Sequence, residues 1–540
     1  MKRILEVNPI INAIVEDRFK EAHEIVQVYM KRILEVNPII NAIVEDRFKE
    51  ALDKNPVAKE VDKYLDKNPD KINELKTTKP FLGIPITVKE AIAVRGMSYT
   101  GGSVTRKNIK AEKDSVVVQH LKNAGLIPLL VSNTPEYDTS LETYNKLSGY
   151  TYNPYNTLYT CGGSSGGEGA LLGAGASLLG VGSDFFGSIR VPAMWNGVFG
   201  HKPSKQVVSL EGHFPIEADD LFQNRLVIGP MARYAEDLKP LLKIMAGNNV
   251  QKLHLDDEGP MARYAEDLKP LLKIMAGNNV QKLHLDDEVN LDNIQIFYME
   301  DTGNCFGLLN VEKEIRVAVY RAATYLQKEC HCHISNRKFE ELSESIEMVT
   351  IEMMGKMKKF PSPLHDTNVK YNVLIETVKA IFGKSRFTFH HLLSYILYKA
   401  VQTLVINKQK YTEKLEKLKE VLLVSKAVQT LVINKQKYTE KLEKLKEVLL
   451  DALGDNGVFL YPCAQIGPFK LGGHLATYPI TAYTAIPNLL GLPATAVPTG
   501  FNANKLPIGI QVIAGPNQDR LTLAVAQELE KCFGGWKPPS

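Results

Sequence analysis

The sequence predicts an α/β fold, with helices packed on a mixed, largely parallel sheet, and three observations carry that expectation. Hydrophobic residues make up 44% of the 540 and charged residues 23%, which permits a large core and excludes wholesale disorder. From Lys89 onward, strand-like runs alternate with helix-length segments that open at capping residues. Between Cys161 and Ala193, glycine- and serine-rich turns bracket an apolar, small-residue run from Ala170 to Val181, unlike a flexible linker.

The chain opens on Arg3-Ile4-Leu5-Glu6-Val7, which reads as the inside of a helix, and Met1–Ala22 recurs word for word as Met30–Ala51. Residues 1–52 are therefore read as an N-terminal helical segment. Thr87-Val88 reads as a strand end. Asp114-Ser115 can cap a helix running through Val117, Leu121 and Ala124, because a short side-chain oxygen accepts from the first free backbone N–H groups. Ala124-Gly125 ends that helix before a strand at Leu126–Val131. Residues 387–406, accompanied by Lys384, Arg386 and Lys399, form the most apolar extended helical segment. It reads either as an internal helix or as an apolar lid or membrane-facing patch, with Leu393 and Ile396 the residues to change.

Two further exact repeats pair residues 229–258 with 259–288 and 399–423 with 426–450. The three units are unrelated to one another, so they do not form a solenoid. At about 100° per residue, the offset of the last pair turns the second copy by roughly half a revolution. In one straight helix Leu415, Leu418 and Leu422 would then face away from Leu442, Leu445 and Leu449. One copy of each pair is read as an extruded passenger of a duplication or gene-model error. In the first and third pairs the native copy is taken as the one nearer the Gly/Ser motifs or continuous with its flanks. The second pair is not assigned.

A net charge of +4 and the lack of a basic stripe interleaved with aromatics argue against nucleic acid as a partner. Six scattered cysteines do not form a secreted disulfide framework. A metal site at Cys330-His331-Cys332-His333 is disfavoured, because a strand would send cysteines and histidines to opposite faces and no second cluster completes a tetrahedral set. No metal, nucleotide or flavin is called for, since neither a phosphate-binding loop nor a strand-borne G-x-G-x-x-G occurs. No signal peptide opens the chain and no run of 18 apolar residues spans a bilayer.

Two templates compete for the glycine-rich stretch. Gly162-Gly163-Ser164-Ser165-Gly166 fits the G-x-S-x-G elbow of α/β-hydrolases, with Asp455 and His474 as nominal partners. The other makes Ser188, in Gly187-Ser188-Ile189-Arg190, the nucleophile, keeps Ser164 as a relay, and needs an upstream lysine, available as Lys89 in Gly83-Ile84-Pro85-Ile86-Thr87-Val88-Lys89-Glu90.

That combination resembles the amidase signature family, whose pattern joins a GxPxxxKE strand, a GGSSGG loop and a GSIRxPA turn. Gly229-Pro230-Met231-Ala232-Arg233, Gly491-Leu492-Pro493-Ala494 and Leu506-Pro507-Ile508-Gly509-Ile510-Gln511 extend the likeness, from about residue 23 to the C-terminus. Within the family the wording is most similar to the fatty-acid amide hydrolases. The resemblance implies one domain over residues 53–540, a central twisted sheet layered by helices on both sides, and serine hydrolysis of linear amides. It implies Lys89, Ser164 and Ser188 as a proton relay, with Lys89 neutralised by burial and a lack of nearby carboxylates. Backbone N–H groups of Phe185, Phe186, Gly187 and Ser188 are expected to form the oxyanion site, and Ser165, Glu90, Asp184 and Arg190 to support it. Relatives usually carry Gly or Ala where Phe186 stands, which leaves open a catalytically impaired, amidase-like binding scaffold. The implied partner is a small lipid amide; membrane-surface contact and a homodimer are left open. An intracellular location is expected, with membrane association through an N-terminal anchor missing here.

Overall fold

Pro85–Lys89 is buried at every position, as a strand with neighbours on both edges and layers on both faces must be. The computed structural model describes residues 22–51, 81–216, 220–247, 285, 287–303, 309–335, 337–365, 371–406, 435–473 and 478–539. Its strands are β1 (Ile43–Asp46), β2 (Pro85–Lys89), β3 (Ile127–Ser132), β4 (Leu179–Asp184), β5 (Phe199–Lys202), β6 (Val227–Ala232), β7 (Gln295–Tyr298), β8 (His333–Ser335), β9 (Gly457–Pro462), β10 (Ala494–Phe501) and β11 (Pro507–Ala514). They form one 11-stranded sheet, ordered β1-β3-β2-β4-β6-β5-β10-β11-β9-β7-β8.

The sheet is mixed, as expected, but it is not largely parallel. Parallel pairing is confined to β3-β2-β4 and β9-β7-β8. The middle of the sheet, and β1 at its edge, pair antiparallel. For β10 and β11 the reason is connection length: they are joined only by the turn Asn502–Leu506, which is too short for a parallel crossover.

The main helices are α1 (Ala22–Ile40), α2 (Val116–Asn123), α3 (Gly166–Gly173), α4 (Arg190–Trp195), α5 (Leu238–Ala246), α6 (Lys313–Glu329), α7 (Val373–Ile381), α8 (Phe389–Ile406), α9 (Lys435–Leu453), α10 (Thr481–Leu490) and α11 (Asp519–Phe533). Alternation along β9 shows how they layer the sheet. Val458 and Leu460 join the core shared with α2, α5, α6 and α11, whereas Phe459 and Tyr461 join the one built with α9 and α10. At the start of α2, Ser115 Oγ accepts from the Val118 amide at 3.2 Å, and Val117 and Leu121 are buried.

Residues 1–52 are not wholly helical. Asn41, at a φ of 48°, turns the chain out of α1, and β-branched Ile43-Val44 begins β1 against β3. Gly229–Gly247 of the second repeat supplies most of β6 and all of α5; most of its second copy lies outside the described residues. In the third repeat Leu442, Leu445 and Leu449 on α9 are buried, while Leu415, Leu418 and Leu422 lie outside the described residues. Cys330 and Cys332 are buried and His331 and His333 exposed, so thiols and imidazoles do not converge. Among the described residues no group of three His, Cys, Asp or Glu is placed to hold a metal, and no helix is long and apolar enough to cross a membrane.

Candidate active site

β2 delivers Lys89 to the C-terminal end of the strand, where its side chain is completely buried. A buried amine must find partners or give up its proton. Lys89 Nζ donates to Ser164 Oγ at 2.6 Å and to Ser183 Oγ at 3.0 Å. It also lies 2.9 Å from Asp138 Oδ2, which contradicts the expectation that no carboxylate stands nearby. Burial draws the Lys89 amine below the usual lysine range and outweighs Asp138, which acts in the opposite direction.

Ser164 is held in the loop between β3 and α3, and the Gly163–Ser164 peptide is cis. The surrounding glycines are required by close approach: a Cβ on Gly166 would enter Thr143, and one on Gly167 would enter the Asn133 backbone. Ser165 is structural. Its Oγ accepts from the Ser183 amide at 3.2 Å, and its own amide donates to the Ser188 carbonyl at 3.1 Å, tying the two serine turns together. Glu90, the residue after Lys89, accepts from the Thr100 and Gly101 amides at 2.5 and 2.8 Å and so pins a neighbouring loop.

The Ser188 turn runs from the end of β4 into α4. Asp184 Oδ1 accepts from the Gly187 amide at 2.8 Å and Oδ2 from the Ile189 amide at 3.1 Å. Burial alone would push this carboxyl up, but Arg190, Lys202 and the Ile189 amide together hold it at about 2. Arg190 spans Asp184 on both oxygens at 3.0 Å and reaches Gln511 Oε1, the Thr484 carbonyl and Asn488 Oδ1 at 2.6–2.8 Å. Both charged residues thus brace the turn rather than face the cavity. Among the described residues Ser188 Oγ makes no hydrogen bond, and it opens into a cavity of about 310 Å³.

Serine groups, Asp138 and His213 line one end of that cavity; Phe222, Leu226, Met357, Phe360, Leu393 and Leu397 line its apolar part. The 387–406 segment is α8 and supplies two of those residues, while its Leu392, Tyr395, Tyr398 and Val401 are buried. It forms part of the cavity wall. Phe186 keeps a negative φ, packs edge-on against Phe185 at 5.0 Å, and leaves Gly187 at a φ of 116°. Its carbonyl accepts from Thr484 Oγ1.

The amidase family profile matches residues 24–257 and 250–523. The chain belongs to the amidase family. It is an amide-hydrolysing enzyme. Fatty-acid amide hydrolase 2 of Homo sapiens is 37% identical over 547 residues, covering 100% of this chain and 86% of that protein. Two solved structures share the fold at low identity. The native peptide amidase of Stenotrophomonas maltophilia has a TM-score of 0.62 at 18% identity, covering 97% of each chain. A fatty acid amide hydrolase has a TM-score of 0.64 at 18% identity, covering 95% of this chain and 83% of that one.

In this amidase three polar residues at the site had escaped the sequence reading. Asp138 comes from the turn after β3, Ser183 from β4, and His213 from the loop between β5 and β6. His213 Nε2 sits 2.9 Å from Ser183 Oγ and 3.7 Å from Asp138 Oδ2, and burial depresses its pKa to about 4, so the ring is neutral at ordinary pH.

Proposed function

We propose that this amidase hydrolyses long-chain fatty-acid amides, such as primary fatty amides and N-acylethanolamines, through an acyl-enzyme on Ser188. The observation that carries the reading is the Lys89 amine 2.6 Å from Ser164 Oγ at the polar end of an apolar cavity into which Ser188 opens. The name and the full-chain identity of the human relative support the substrate class.

Neutral Lys89 takes the Ser164 proton as Ser164 takes that of Ser188, whose oxygen attacks the acyl carbon. The relay then reverses and protonates the departing amine; water hydrolyses the ester by the same path. This path requires Ser188 Oγ to donate to Ser164 Oγ as the acyl group is attacked. The Gly187 amide, one of the four expected oxyanion donors, is committed to Asp184. The amides of Phe186 and Ser188 bond to nothing among the described residues and are the proposed donors, with Phe185 beside them.

Phe186 takes an ordinary φ and packs on Phe185, so its ring does not by itself strain the turn, which favours an enzyme over an impaired scaffold. Against the α/β-hydrolase reading, the partner of Ser164 Oγ is an amine and Asp455 is exposed; His474, the nominated histidine, lies outside the described residues and bears on neither reading. A fluorophosphonate probe with peptide mapping tests the assignment. Label on Ser188, lost in Ser188→Ala, is expected; label on Ser164, or none, overturns it.

Contact with a membrane surface is a further part of this reading, argued from α7. Leu374, Ile375, Val378 and Ile381 on this helix and Phe382 just after it are exposed beside the cavity wall, with Lys379, Lys384 and Arg386 around them. Cations around an apolar face suit an anionic lipid surface; a second copy of this chain is the competing occupant.

A further inference from the structure

The amine proposed as the base is not alone in its pocket. Asp138 stands with φ at 58°, its Oδ1 held by Thr134 Oγ1 and its Oδ2 2.9 Å from Lys89 Nζ. The side chain is 11% exposed and forms part of the cavity wall beside Ser164 and Ser188. A carboxylate at this range favours the ammonium over the amine. We infer that Asp138 is a positioning residue that sets the protonation state of Lys89, raising the pH above which the fast form of the enzyme is populated. The inference rests on the reading of Lys89 as the base.

The other groups facing this pair do not replace Asp138. His213, from the loop before β6, touches Asp138 and, through Ser183, Lys89, but its ring is neutral. Glu168 on α3 bonds Thr87 Oγ1 at 2.6 Å, and burial raises its pKa to about 7. Asp184 is spanned by Arg190. Asp138 is therefore the carboxylate in contact with the amine.

The sign follows directly. An anion beside Lys89 raises the pH at which the amine loses its proton, so the acid limb of kcat/KM lies higher than burial alone would place it. Asp138→Asn keeps the shape, the tolerance of positive φ and an acceptor for Thr134, and removes the charge. The acid limb is expected to move down by about one pH unit or more, with kcat/KM about tenfold higher at a pH below the original midpoint. Asp138→Gly, which also accepts this φ, is the second variant, with thermal melting as the check that each is folded. A limb that stays in place or moves up in a folded variant overturns the inference, as does a uniform loss of rate at all pH. Lys89→Ala separates the two readings. It is expected to abolish fluorophosphonate labelling of Ser188 at every pH; retained labelling would remove Lys89 as base, whereas lost labelling with an unmoved limb in Asp138→Asn rejects only the role of Asp138.

Discussion

At Gly187 a φ of 116° and the space beside Thr484 both demand the absence of a side chain. The same residue donates to Asp184 Oδ1, and Asp184 is clasped by Arg190, so one glycine sets the direction of the amides on either side of it. Gly187→Ala is expected to twist the Phe186 and Ser188 amides away from the developing oxyanion and lower kcat by about 10²–10³, while KM changes little. Steady-state kinetics on a soluble amide would check this, and a wild-type kcat would show the turn to be irrelevant. Lys89, Ser164 and Ser188 were legible because each sits inside a distinctive local string. Asp138, Ser183 and His213 sit in ordinary strings and become neighbours only when β2, β3 and β4 lie side by side.

Among the elements, α7 and α8 are similarly apolar but place their apolar residues differently. The longer α8 is spent on the cavity and core, since hydrophobicity averaged over a helix does not say which surface covers it. On α7 Leu374, Ile375, Val378 and Ile381 are exposed, Leu374 at 70%, and Phe382 just beyond the helix is 72% exposed. Binding to anionic liposomes is expected to fall at least tenfold in Leu374→Glu/Phe382→Glu, with fluorophosphonate labelling in detergent unchanged. Undiminished flotation would reject membrane contact, and a shift from dimer to monomer in sedimentation would assign the face to a second copy. Local and non-local signals divide in the same way for the other elements: β2, α2 and β3 follow their sequence signals closely, but the direction of pairing at the centre of the sheet depends on which strands the fold sets side by side.

For the molecule as a whole, the question raised by the repeats is how much of the chain the fold needs. Residues 229–258 and 259–288 are tandem and identical, so deleting either yields the same protein. We propose that one such unit is a passenger, because one copy's Gly229–Gly247 already fills a sheet position and a helix layer. The shortened chain is expected to melt within a few degrees of the parent and to label on Ser188 at the same rate. Loss of folding or of labelling would show that both copies are required.

Sequence by itself determined the family, the alternation of strand and helix, and the three residues proposed for the relay. These are local properties, readable wherever glycine turns, capping residues and a lysine-ended strand occur in one order. Tertiary structure alone decided the antiparallel centre of the sheet, which helix lines the cavity, and the carboxylate in contact with Lys89. Those depend on which segments end up adjacent. A charge 2.9 Å away governs a buried amine however far off it lies along the chain.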